Sequence, residues 1–275
     1  MSKKTVTTEY TLTLPKLRRP LRLALVSDLH ERRADDILER LRQAKPDCIA
    51  VTGDTFERFD DEYNRPYHRI ELSFFHRLFL AAAFNINYFL IHIVGKRNLP
   101  DIQNSYRFLR EAAKLAPVWL SLGNHEEKLH EEDLAFLKEN RITLLDNADV
   151  EAEVKGQHLR VGGLSTAADS AWLARFAAKD GFKLLLCHHP EYFDRLVRDL
   201  DIDLTLSGHN HGGQIRVFGR GVLSSHSGLF PKYDKGVFEN RLVLSAGCSN
   251  TAAIPRLNNP RELVIIDLKP ENKTE

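Results

Sequence analysis

The sequence predicts an α/β fold, and three observations predict it. Apolar β-rich runs and stretches of helical spacing alternate through the first half of the chain, in a β-α-β-α-β rhythm. Several of these runs stop at a short polar block, which places polar side chains at one edge of a parallel-type sheet. The second half is richer in short strands but keeps the same habit of ending them on polar residues.

Taken in order, Thr5 to Leu14 alternates enough to form a first strand. Leu21 to Ser27 is a clearer, buried strand that ends at Asp28-Leu29-His30. Ala34 to Ala44 has helical spacing, with Ile37, Leu38 and Leu41 on one face. Cys48 to Thr52 is the next strand and ends at Gly53-Asp54. Tyr106 to Leu115 is again helical, and Val118 to Leu122 is a strand that leads into Gly123-Asn124-His125-Glu126. Ile142 to Leu145, Ala152 to Val154 and Leu159 to Val161 read as short strands, and Ser170 to Ala178 as a helix. Lys183 to Cys187 delivers His188-His189-Pro190, and Asp203 to Leu206 delivers Ser207-Gly208-His209-Asn210-His211-Gly212-Gly213. Arg241 to Ser245 and Glu262 to Asp267 are late strands. No repeat, low-complexity tract or linker divides the 275 residues, so residues 1–275 are read as a single domain.

One segment departs from the rhythm. Between Asp54 and Gly123 lie 68 residues, more than a crossover helix needs. Within it, Phe79 to Val94 is apolar except for Asn85, Asn87 and His92, and basic residues flank it. It falls short of the roughly 18–20 clean apolar residues of a spanning helix. Residues 56–100 are therefore expected to form an apolar helical insert or cap. Its 78–94 stretch is either buried or in contact with a membrane or an acyl chain.

The 39 basic and 38 acidic residues leave a formal net charge of +1, which removes the usual electrostatic case for nonspecific nucleic-acid binding. A local cluster of Arg216, Arg220, Lys232 and Lys235 remains compatible with it. Cys48, Cys187 and Cys248 make no CxxC pair, and an odd, sparse count favours a reducing compartment. The start, Met1 to Glu9, lacks the apolar stretch of a signal peptide. The expected location is the cytoplasm, with peripheral contact at the inner membrane face if 78–94 meets lipid.

The strand-end blocks supply aspartate, asparagine and histidine without thiolates. Mixed oxygen and nitrogen donors suit borderline or hard divalent ions such as manganese, iron or zinc. The order D-x-H, G-D, G-N-H-[DE], H, G-H-x-H, from Asp28 to His211, resembles the calcineurin-like metallophosphoesterase superfamily. Gly208 to Ile215, the ending from Ser245-Ala246-Gly247 to Ile254-Pro255-Arg256, and Asn259 to Leu263 are similar to its bacterial YkuE/YaeI-like phosphodiesterase branch, with Asn210 in place of the usual threonine.

The resemblance covers residues 20–55 and 115–268 but not the insert. It implies a four-layer α/β/β/α sandwich, two mixed β-sheets flanked by helices. It further implies two divalent metal ions, manganese (Mn2+) first and iron or zinc next. Asp28, His30 and His211 would hold one metal, Asn124, His188 and His209 the other, and Asp54 would bridge them. His125 would contact the phosphate or protonate the leaving oxygen, with Asn124 and Gly212 also near substrate. The implied reaction is hydrolysis of a phosphodiester or pyrophosphate bond by a metal-bridging hydroxide. The apolar insert extends the substrate class from small molecules to lipid-linked phosphoesters.

His189 is expected to point away from His188 by strand alternation and to play a structural part. His226 is expected in a solvated loop, and His68, His76, His92, His130 and His158 at the surface or in packing. Two other functions compete with this reading. A non-catalytic scaffold that binds protein through this fold conflicts with an intact ligand set, and a nuclease requires a basic, aromatic-bearing groove.

Overall fold

The computed structural model describes residues 5–58, 100–126, 128–224, 227–249 and 256–271. Nearly all of the expected 56–100 insert, including 78–94, lies outside the described residues, as does His226.

Two six-stranded sheets carry the fold. The first half of the chain contributes β1 (Thr5–Leu14), β2 (Leu21–Val26), α1 (Asp35–Ala44), β3 (Cys48–Thr52), α2 (Ile102–Ala113), β4 (Val118–Ser121), α3 (Glu131–Glu139) and β5 (Thr143–Leu145). The remainder comprises β6 (Ala148–Val154), β7 (Gln157–Leu164), α4 (Ser170–Ala177), β8 (Lys183–Cys187), β9 (Leu204–Ser207), β10 (Ile215–Val217), β11 (Arg220–Ser224), β12 (Gly228–Leu229), β13 (Gly236–Phe238), β14 (Leu242–Leu244) and β15 (Arg261–Pro270). The first sheet runs β1-β15-β2-β3-β4-β5 and the second β13-β14-β9-β8-β7-β6. Both are mixed. The central neighbours β2, β3, β4 and β5 are parallel, as are β14, β9, β8 and β7.

Strand alternation sorts the side chains into layers. Leu23 and Leu25 of β2, Cys48 and Ala50 of β3, and Leu184 and Leu186 of β8 meet in one core between the sheets. Their neighbours Ala24, Val26, Ile49 and Val51 face outward and pack against Ile37, Leu41, Phe108, Leu109 and Phe136 of the first three helices. Leu185 and Leu244 face the other way, against Trp172 and Phe176 of α4. The order of layers is α/β/β/α, as expected. Both β3 and β8 are buried along their whole length, which is why they read as unbroken apolar runs.

The expected elements are present with shifted ends. Helix α2 starts at Ile102 rather than Tyr106, because Asp101 caps it by accepting from the Gln103 backbone N–H at 3.0 Å. Helix α3 is not among the expected elements, since four acidic residues and one lysine dilute its apolar face. A small antiparallel sheet, β10-β11-β12, was also not anticipated. Cys48, Cys187 and Cys248 are all buried and unpaired. Among the described residues no helix is long and apolar enough to cross a membrane.

Candidate metal centre

The C-terminal ends of β2, β3, β4, β8 and β9 lie side by side, so the five polar blocks converge although they span residues 28 to 211. Asp28, His30 and His211 bring ligand atoms within 4.8 Å of one another, and so do Asp54, His188 and His209. Asp54 Oδ2 lies between the groups, 3.5 Å from His30 Nε2 and 3.1 Å from His188 Nε2. His209 Nδ1 is 3.2 Å from His188 Nε2, and His211 Nε2 is 3.7 Å from Asp28 Oδ1.

The backbone bends sharply to do this. Asp28, His30, Asp54, His209 and His211 all hold positive φ, between 46° and 74°. Non-glycine residues take that region at a cost of roughly 1–3 kcal/mol each, and such strain gathers at functional sites.

Glycine supplies the remaining room. A Cβ added at Gly123 would sit 2.2 Å from Asp54 Oδ1, and one at Gly208 would collide with Ser27 Oγ. Gly123→Ala should therefore displace the Asp54 carboxylate and cost about 1–3 kcal/mol by overpacking. The expected result is a melting temperature several degrees lower together with weakened divalent-ion binding by calorimetry. Unchanged ion affinity would show that the crowding is relieved elsewhere.

The buried atoms fit divalent cations. Asp28 Oδ2, His30 Nε2 and Asn124 Oδ1 are buried without hydrogen-bond partners, although buried polar atoms are nearly always satisfied. All three belong to the expected ligand set. In the absence of ions, burial would depress the His188 pKa, but Asp54 overrides it and holds the ring up to about 10. Burial would raise Asp54, yet the surrounding imidazoles, His188 first, hold it well below the usual carboxylate range.

Surrounding groups orient these side chains. His188 Nδ1 donates to the Thr52 carbonyl at 2.8 Å, which leaves Nε2 free to ligate. Glu57 lies 2.9 Å from His30 Nδ1 and 2.7 Å from His125 Nδ1, joining the two rings through one carboxylate. Those contacts hold Glu57 down to about 2 against the upward push of burial, and Glu57 and Asp54 in turn raise His125 above its ordinary value against its burial. His125 Nε2 stands 3.9 Å from Asp54 Oδ2.

Glu126 accepts backbone N–H bonds from Asp54, Thr55, Phe56 and Gly123, and so ties the ends of β3 and β4 together. Burial and the Asp54 charge push Glu126 up to about 7. Arg256 Nη2 lies 3.1 Å from His211 Nδ1, and burial lowers its guanidinium to about 10. The Asn259 side chain donates to the His211 carbonyl at 2.6 Å.

Gly212 has a backbone reason for its identity. Its φ is +68°, and a Cβ there would meet Asn259 Oδ1 at 2.5 Å. His189 departs from the strand-alternation expectation. Its ring centroid lies 4.5 Å from that of His209, on the same side as His188, because β8 ends at Cys187 and the pleat no longer governs. His189 Nε2 lies 3.0 Å from Thr166 Oγ1. His158 and His130 are exposed, as expected.

Sequence reasoning missed Glu57, Arg256 and Asn259. Glu57 lies three residues after Asp54, and Arg256 and Asn259 stand in stretches that resemble the YkuE/YaeI-like branch, so each lay near a recognised motif.

Known proteins resemble this chain in sequence. The family model for calcineurin-like phosphoesterases matches residues 21–213. The chain is 25% identical over 266 residues to protein YpbG of Bacillus subtilis, covering 94% of this chain and 85% of that protein. It is 24% identical over 271 residues to the metallophosphoesterase Cj0846 of Campylobacter jejuni, covering 93% and 61% respectively. It is 31% identical over 127 residues to the metallophosphoesterase YkoQ of B. subtilis, covering 44% and 47%.

Proposed function

The chain belongs to the calcineurin-like phosphoesterase family, which makes it a metal-dependent phosphoester hydrolase, and from that premise we propose that it cleaves a phosphodiester or pyrophosphate bond at a dinuclear centre. The observation that carries this reading is the trio of unpartnered buried atoms, Asp28 Oδ2, His30 Nε2 and Asn124 Oδ1, in a site otherwise rich in hydrogen bonds. A scaffold without cations would leave them uncompensated.

In this reading Asp28, His30 and His211 hold one cation, and Asn124, His188 and His209 hold the second. Asp54 reaches both groups through one carboxylate. Two bound divalent ions, manganese first and iron or zinc next, would supply an activated water and neutralise charge on the phosphoryl oxygens. His125, with its Nδ1–H held by Glu57, delivers the proton on Nε2 to the leaving oxygen, while Asn124 and Gly212 border the substrate. Glu126 keeps the Asp54 and Gly123 loops in register, so the two ligand groups stay at a fixed separation.

The finer placement, in the YkuE/YaeI-like branch, is supported by Gly208 to Ile215 and by Asn259 to Leu263. A lipid-linked substrate, with membrane contact through 78–94, rests on the apolar run Phe79 to Val94.

The test compares bis-p-nitrophenyl phosphate with p-nitrophenyl phosphate, using metal-depleted protein with manganese restored. Faster turnover of the diester, restored by manganese, is expected. Failure to hydrolyse either compound with manganese, iron or zinc, by protein that also retains no metal, would defeat the reading.

A further inference from the structure

We propose that the β10-β11-β12 sheet is a membrane-contact surface that sets Phe218 and Phe230 into an anionic lipid bilayer beside the metal centre. Seven large hydrophobic residues are exposed among the described residues, and five of them, Val217, Phe218, Leu229, Phe230 and Leu257, gather here. Phe218 is fully exposed and Phe230 is 74% exposed. Val217 pairs with Arg220, so Phe218-Gly219 forms a two-residue hairpin turn. Leu229 pairs with Leu223, and the Phe230 N–H continues that edge by donating to the Val222 carbonyl, toward the Phe218 end. Leu257 bridges to Ile215 on the other edge.

The backbone shows that these rings are not incidental. Phe218 and Gly219 both hold positive φ, the combination that favours Asn-Gly or Asp-Gly in such a turn. Phe230 is likewise at φ 50°. Two bulky rings thus occupy strained positions in which Phe218 buries nothing of the fold and Phe230 little. A choice that breaks the local rule without a gain in packing points to work done outside the molecule.

Charge identifies the partner. Of the four basic residues from Ile215 to Lys235, Arg216 pairs with Asp234, Lys235 with Glu262 and the exposed Lys232 with Asp194. Arg220 is exposed beside the Phe218 turn and makes no ion pair among the described residues. Aromatic tips beside an exposed, unpaired arginine match the interface of an anionic bilayer, where rings enter the headgroup boundary and the cation meets a lipid phosphate. A nucleic acid would use the cations but would not require the aliphatic side chains.

The sheet is fixed to the site. The Asn210 side chain donates to the Tyr233 carbonyl at 2.8 Å and accepts from Ser227 Oγ at 2.9 Å, while Arg216 donates to the Gly212 carbonyl at 2.7 Å. A bilayer held at Phe218 would therefore lie beside the His209–His211 loop. The inference concerns the surface alone and does not depend on the proposed reaction.

The test is cosedimentation with vesicles of equal parts phosphatidylglycerol and phosphatidylcholine, against pure phosphatidylcholine, for the full chain and for the double variant Phe218→Asn/Phe230→Asn. Asparagine suits the left-handed backbone, so the variant should fold with an unchanged or higher melting temperature and should hydrolyse a soluble diester as the parent does. The parent is expected to bind the anionic vesicles preferentially, and the variant to lose affinity by on the order of tenfold or more. Equal binding by parent and variant, or no binding by the parent, overturns the proposal. So does a parent dimer that the variant dissolves without any vesicle binding, or salt-sensitive DNA binding in place of vesicle binding. Loss of diester turnover with vesicle binding intact would fault the proposed reaction and leave this surface standing.

Discussion

Asp54→Asn is expected to lower kcat/KM for a diester by about a thousandfold or more, roughly 4 kcal/mol of transition-state stabilisation. Asp54 Oδ2 lies within 3.5 Å of imidazoles from both ligand groups, and among the described residues no other carboxylate oxygen is placed to serve both. Asparagine keeps an oxygen that can accept from the His125 N–H, now made to Asp54 Oδ1 at 3.0 Å, so the loop should hold its shape. What is lost is the charge. Metal content should fall below two ions per chain, and the rise in melting temperature that manganese gives the parent should shrink. A variant that binds two ions and turns over at the parental rate would remove Asp54 from the bridging position.

The second large effect is expected at Glu57. Its carboxylate fixes which nitrogen of His30 and of His125 carries the proton, and outer partners of this kind are typically worth about 10–100-fold. Glu57→Gln should lower kcat by that factor and also move the pH profile. Glu57 and Asp54 raise the His125 pKa above its ordinary value against burial, so His125 stays protonated to a higher pH and activity falls as pH climbs through that raised value. Without the Glu57 charge the ring loses its proton earlier, and the alkaline limb of kcat/KM should shift to lower pH. A slower enzyme with an unmoved alkaline limb would mean that Glu57 only shapes the loop. Glu57→Asp, which keeps the charge but shortens the reach, should recover part of the shift.

The framework of the site was legible because each ligand block sits directly after a buried strand. Strand ends are local signals, and a parallel sheet aligns them whatever their distance in sequence. The family pattern selects His188 over His189 as a ligand, whereas the side on which His189 lies was not legible. Pleating predicts opposite faces only while a strand continues, and β8 stops at Cys187. Glu57 acts through two rings at once, a relation no single motif encodes. Arg256 reaches His211 from 45 residues away, across a contact that exists only once β15 has inserted between β1 and β2. The β10-β11-β12 sheet escaped notice because its strands are short and its turn carries phenylalanine where asparagine or aspartate would have announced a hairpin.

The left-handed backbone at Asp28, His30, Asp54, His209 and His211 also shapes how this lineage can decay. Each of these positions would be more comfortable as glycine or asparagine, and only the chemistry keeps the present residue there. A descendant that no longer used the cations would gain stability by surrendering them, so drift would run downhill at these five positions first. The proposed ligands on relaxed backbone, Asn124 and His188, would linger. Glycine or asparagine at the left-handed positions, beside an intact asparagine and histidine at the other two, would mark a copy of this fold that has retired from hydrolysis.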